Sequence, residues 1–164
     1  MRDFLFSEIA NLHGLSNIPD NPQLAVAAGR ELCRLLLDPM VNTFGPISIR
    51  SSYRSPVVNG AGNKARYNCA SNEANRAGHI WDQLDSAGNM GATACVVVPW
   101  FADQYANGRD WRDLAWWLHD HLPYSSICFH PKLAAFNLSW RENPRRKIAS
   151  FIRPRGILLR SGHH

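Results

Sequence analysis

Between Asn17 and Asn59 the chain reads NIPDNPQLAVAAGRELCRLLLDPMVNTFGPISIRSSYRSPVVN, and few folds accommodate such a stretch. Asn21-Pro22 pairs an N-cap with a proline in the first turn, after which Leu24, Ala28, Leu32, Leu35 and Leu36 recur at helical spacing until Asp38-Pro39. Gly45-Pro46 punctuates the chain. Ile47 and Ile49 then alternate with Ser48 and Arg50, the pattern of a strand with one buried face, and SYRSP falls at the end of that strand. A helix with one apolar stripe leading into a half-buried strand calls for a layered core.

The remaining elements are shorter. Phe4 to Leu12 reads as a helix with Ser7 near its start and His13-Gly14 at its end. Gly60 to Gly78 is rich in Asn, Ala and Gly without a sustained period, which predicts a long surface excursion with one helical turn near Ser71 to Arg76. The β-branched run Ala92 to Val98 suits a central strand, and Asp110 to His121 an amphipathic helix. Ser125 to Phe129, Ala134 to Trp140 and Ile148 to Ile152 read as strands separated by Pro131 and by Glu142-Asn143-Pro144. Helices early and strands late indicate an α+β fold.

The chain has 164 residues, of which 45% are apolar, enough for one domain with a real core, here 1–160. Residues 161–164 read as a linker and the beginning of an expression tag, so His163 and His164 are set aside. Four separated cysteines without a CxxC pair, and no basic segment followed by a long apolar run, predict a reduced, cytoplasmic chain with no membrane anchor. Arg141 to Arg160 holds seven cations against the single carboxylate Glu142 and accounts for more than the whole formal net charge of +5. Through Arg145, Arg146 and Lys147 this segment offers nucleic acid an electrostatic contact, although a solvated basic face gives the same count.

Chemistry-bearing residues gather around Tyr67 to Ser71 and Gly78 to Asp85. His79 and Asp82, three apart, would face each other on one helical turn, where the carboxylate would orient the imidazole and raise its basicity. His79, Asp82 and Asp85 could instead gather a divalent ion, and Cys69 could act as nucleophile if His79 came close enough to favour its thiolate. An Asp-rich turn with a capping role and an inert cysteine explains the same letters. A separate metal set of His79, Cys95 and His130 consists of ligand types that zinc accepts; buried strand and turn residues would also read this way.

Several landmarks occur in a familiar order: NIPDNP, a helix ending LLLDP, FGPISIRSSYRSPVVN, the strand GATACVVVP, LPYSSICF and FNLSWRENPRR. From about Phe4 to Arg146 the chain resembles the hedgehog/D-Ala-D-Ala-peptidase superfamily of zinc metallopeptidases, with SYRSPVVN the most specific piece. The resemblance implies a small antiparallel sheet with helices packed on one side, and a groove holding one zinc ion between His, Asp and His beside a catalytic Glu. The expected ligand motifs are altered here. Cys95 stands at the Asp place, Gly88 at the first His place unless an insertion has displaced that ligand to His79, Asn137 at the last ligand and His130 at the base.

The resemblance also places Arg54 beside the site, where its planar fork would hold an anionic or carbonyl oxygen; pinning a loop to a backbone carbonyl or to Asp82 is the structural alternative. Ser52, Tyr53 and Asn59 would support either arrangement, and Trp81 and Trp100 flank the loop and could pack on a sugar or base. The expected function is a divergent peptidase-like hydrolase acting on cell-wall peptide, bacterial or phage-encoded, with an altered or lost zinc site. The catalytic candidates are Arg54, His79, Asp82 and His130, and the substrate contacts Ser52, Tyr53, Asn59 and Trp81. The alternative is a noncatalytic module that uses the groove for a peptide, glycan or nucleic acid.

Overall fold

The structure, a computed structural model, describes residues 1–159. A six-stranded sheet in the order β1-β2-β4-β3-β5-β6 forms its centre, from β1 (Ser48–Ser51), β2 (Gly91–Val97), β3 (Ser126–Phe129), β4 (Phe136–Arg141), β5 (Lys147–Ser150) and β6 (Gly156–Leu159). The mixed α and β content agrees with an α+β fold. The sheet is not wholly antiparallel, however: β3 and β5 pair in parallel, with Ile127 opposite Ile148, because the chain leaves β4 by a turn and lands on the far side of β3. The predicted tag residues lie outside the described residues.

Among the described residues seven α-helices accompany the sheet: α1 (Glu8–His13), α2 (Pro22–Leu32), α3 (Asp38–Phe44), α4 (Pro56–Lys64), α5 (Asn72–Asn75), α6 (Pro99–Ala106) and α7 (Trp111–His121). Their starts follow side-chain chemistry. Ser7, Asn21, Ser55, Ser71 and Asp110 each accept a hydrogen bond from a first-turn backbone N–H, and Gly14 closes α1 at φ +62°. Asp38-Pro39 does not end the helix as its sequence predicts. Cys33–Leu37 forms a π-helical turn in which the Asp38 N–H reaches the Cys33 carbonyl, and α3 continues with Pro39 in its first turn, where a missing N–H costs little. The helices α4 and α6 and the strand β6 carry no clear periodic signal and were not expected.

Sheet register sorts the strand residues into two faces. Ala92, Ala94 and Val96 pair with Trp140, Leu138 and Phe136, and this face packs with Leu32, Leu36, Met40, Leu114 and Leu118 in the main core. The opposite face carries Thr93, Cys95, Ser126, Cys128, Asn137 and Ser139, all small or polar. The main-core helices thus bury one face, while the other meets Ala102 of α6 at Val97 and Cys95 and, elsewhere, the loop that precedes β2. Gly91 permits that closure: a Cβ there would stand 2.2 Å from the Ala77 carbonyl oxygen.

Candidate functional site

SYRSP leaves β1 and is fixed from both sides. Asn17 donates from Nδ2 to the carbonyls of Leu5 and Tyr53, and its Oδ1 accepts from the Ser55 N–H at 2.7 Å. The Arg54 N–H donates to the His79 carbonyl at 2.8 Å, and the Thr93 N–H to the Gly78 carbonyl at 3.0 Å. These bonds stitch the His79 segment between the end of β1 and the start of β2, over the polar face of the sheet.

His79 is 8% exposed, and its Nδ1 lies 2.6 Å from the Ser52 carbonyl oxygen, so the proton sits on Nδ1 and Nε2 is left as an acceptor. Burial, followed by the positive charge of Arg54, pushes its pKa down to about 3, against the opposing hydrogen bonds to Ser52 and Asn137. Asn137 also places Nδ2 3.3 Å from Nε2 of His130, whose ring stacks on Phe151 and whose pKa is lowered by burial. Asn137 therefore lies beside both imidazoles. Cys95 and Cys128 flank Asn137 as its direct partners on the neighbouring strands. Burial raises both thiols from their ordinary values, most strongly opposed by Arg50 for Cys95 and by Lys147 for Cys128.

Asp82 does other work than the sequence predicts. His79 and Asp82 lie in turns rather than on a helix, and Asp82 accepts from the Asp20 and Asn21 N–H groups at 2.9 and 3.2 Å and from the Tyr53 hydroxyl at 3.0 Å. With its oxygens occupied by the entry to α2, it does not orient the imidazole. Asp85 is likewise held in its own loop, accepting from the Ala87 and Asn89 N–H groups and facing Arg141 at 3.4 Å.

The expected substrate contacts prove largely structural. Trp81 is 1% exposed, packs over Gly29, and donates from Nε1 to the Thr93 carbonyl, leaving no face for a ligand. Asn59 is fully buried and ties α4 to Ala70, Asn72 and Asn75. Ser52 spends its hydroxyl on the Phe4 carbonyl. Among the described residues no three His, Cys, Asp or Glu side chains form a group suited to a metal ion. His79, Cys95 and His130 surround Asn137 instead, and an amide is a poor zinc donor. The donor set does not fit the zinc centre that the resemblance implies.

Arg54 does not reach Asp82. Its Nη1 donates to Sγ of Cys69 at 3.0 Å, while its Nε is buried without an acceptor. An unmet buried donor costs about 1–3 kcal/mol. Beside it opens a cavity of about 560 Å³, bounded by α1 and by the loop Arg66 to Asn68. Arg50, Arg54 and Arg66 all line it, with Glu8 as the one carboxylate in its wall. Neither Arg50 nor Arg66 makes an ion pair or a side-chain hydrogen bond among the described residues. Arg66 and Asn68 both hold φ at +59°, an unfavourable conformation for arginine, and present Tyr67 between them.

Sequence reasoning missed Arg50 and Arg66. Arg50 was legible as the outward residue of an alternating strand, but nothing in ARYN announces that Arg66 lines the same cavity as Arg54. Arg146, one of the proposed nucleic-acid contacts, is committed elsewhere: it donates to the Leu122 and His119 carbonyls at the end of α7 and lies 4.2 Å over the Tyr124 ring. Arg145 and Lys147 remain exposed. No helix among the described residues is long and apolar enough to cross a membrane. Comparison with protein-family models, with curated proteins and with solved structures finds no match to this chain.

Proposed function

We propose that this protein is a noncatalytic binding module on a hedgehog/D-Ala-D-Ala-peptidase-like scaffold, and that it holds the anionic group of a small or peptidic ligand in the cavity beside Arg54. Three arginines lining one cavity with a single carboxylate residue carry the reading. None of the three has an ion-pair partner among the described residues, and an anion would supply one through charge-assisted hydrogen bonds. The scaffold part draws on the register: Cys95 and Asn137, the places where the resemblance expects an Asp and a His ligand, are direct cross-strand partners on the face that the main-core helices leave open.

A peptidase-like hydrolase would use the same groove, but it needs an activated water or nucleophile. His79 donates Nδ1–H to the Ser52 carbonyl and burial makes it a weak base, Asp82 is spent on α2, and the Cys95 thiol is held above its ordinary value. Two measurements on one preparation separate the readings. Elemental analysis after zinc supplementation and dialysis is expected to show no stoichiometric zinc, and millimolar phosphate or acetate to raise Tm in the native chain but not in Arg54→Gln. Stoichiometric zinc with release of amino acid from a D-alanyl dipeptide would overturn the binding-module reading.

A further inference from the structure

The wall of the Arg54 cavity specifies more than an anion, and this step rests on the binding reading above. Its charged groups are Arg50, Arg54, Arg66 and Glu8, an excess of two positive charges. A carboxylate is planar, carries one negative charge, and is satisfied by a single guanidinium fork. A phosphate monoester carries close to two negative charges at neutral pH and offers three terminal oxygens in tetrahedral directions. Arg50 comes from β1, Arg54 from the segment after it, and Arg66 from the strained loop beyond α4, so the cavity draws its three arginines from separate pieces of backbone.

Beside these cations the wall is mixed, with Ser7, Ser51, Ser52 and Asn68 among the apolar Phe6, Ile9 and Leu12. Phe6 and Tyr67 line the same cavity and stay 56% and 46% exposed, large rings left open to solvent next to the charge. Rings beside a cationic cluster suit a ligand with an apolar or aromatic body joined to the anion. At about 560 Å³ the space is that of a small molecule.

We infer that the cavity formed by Arg50, Arg54, Arg66, Phe6 and Tyr67 is a site for a small phosphate monoester with an apolar or aromatic substituent. Glu8 then sets an upper limit on affinity, because its carboxylate faces the same space.

Isothermal titration at pH 7.5 with phenyl phosphate, benzoate and inorganic phosphate tests this. Phenyl phosphate is expected to bind at least about tenfold more tightly than benzoate, with Arg66→Gln and Arg50→Gln each weakening it by about tenfold. Both substitutions lie at the surface and should leave Tm unchanged, and Glu8→Gln should tighten phenyl phosphate while leaving benzoate less affected. Benzoate binding equal to or tighter than phenyl phosphate would overturn the monoester assignment and leave anion binding standing. No binding of any of the three would remove both. A phosphotyrosine peptide that binds where phenyl phosphate does not would also overturn the assignment, in favour of a protein partner.

Discussion

The Tyr53 hydroxyl donates to Oδ1 of Asp82 at 3.0 Å, across 29 residues of sequence, and joins the end of β1 to the start of α2. Tyr53 is fully buried, and its phenol is driven up by burial and then by the Asp82 charge, so it remains a donor. The other carboxylate oxygen takes the Asp20 and Asn21 N–H groups. Asp82→Asn can keep its oxygen on the two N–H groups only by turning its NH2 to the Tyr53 oxygen, which leaves the buried Tyr53 O–H without an acceptor. It is expected to cost about 3 kcal/mol in urea unfolding, and Tyr53→Phe about 1–2 kcal/mol. The two substitutions should be strongly non-additive. A loss below about 1 kcal/mol for Asp82→Asn would show that the carboxylate is not the anchor described here.

His79 makes stability depend on pH. Its folded pKa of about 3 lies below the ordinary 6.5, so from pH 6.5 downward the unfolded chain takes up a proton that the folded chain refuses. Above pH 6.5 both states are neutral and the contribution is flat. The expected slope approaches about 1.4 kcal/mol per pH unit as pH falls from 6 to 5, with His130 adding in the same direction. Urea midpoints of the native chain and of His79→Gln over this range give the check. Parallel curves would contradict the buried neutral imidazole.

Two glycines separate steric from conformational need. Gly91 opens β2 where a Cβ would meet the Ala77 carbonyl oxygen at 2.2 Å and the Trp140 carbonyl oxygen at 3.0 Å, both backbone atoms that cannot swing away. Gly88 holds φ at +82° with nothing within 4 Å. Gly91→Ala is expected to lose more than about 3 kcal/mol and Gly88→Ala about 1 kcal/mol. Thermal melts of the two variants should rank them in that order, and an equal loss would argue against the close approach of the His79 segment to β2.

What the sequence revealed and what it hid follow from how far each signal travels along the chain. Caps and periodicity are local, so Asn21, Ser71 and Asp110 were legible as helix starts, and Ile49 as the inward residue of β1, where it is half-buried, with Ile47 just before the strand. The continuation past Pro39 was not, because a π turn supplies the slack that a regular helix lacks. Spacing placed His79 and Asp82 on one helical turn. Instead, long-range partners claim them separately, Ser52 for the imidazole and Asp20, Asn21 and Tyr53 for the carboxylate. Arg54 stood out through its motif, whereas Arg66 reaches the same cavity through a left-handed backbone that its residue type disfavours.

The basic C-terminal segment divides by role. Arg146 caps the last carbonyls of α7 and covers Tyr124, so Arg146→Gln is expected to cost about 1.5–3 kcal/mol of stability. Arg145→Gln and Lys147→Gln, both at exposed sites, should change stability by less than about 0.5 kcal/mol. Denaturation curves of the three single variants give the comparison. Equal effects would mean that Arg146 is no more embedded than its neighbours.

The account rests on Arg50, Arg54 and Arg66 acting on one bound anion. The most direct measurement follows their side-chain Nε–Hε resonances by NMR while phenyl phosphate is added. All three are predicted to shift along one saturating curve with a common Kd, while the Arg34 and Arg112 resonances, whose guanidiniums pair with Glu31 and Asp110, stay still. Uniform small drifts across every arginine, or a shift confined to Arg145 and its exposed neighbours, would contradict it.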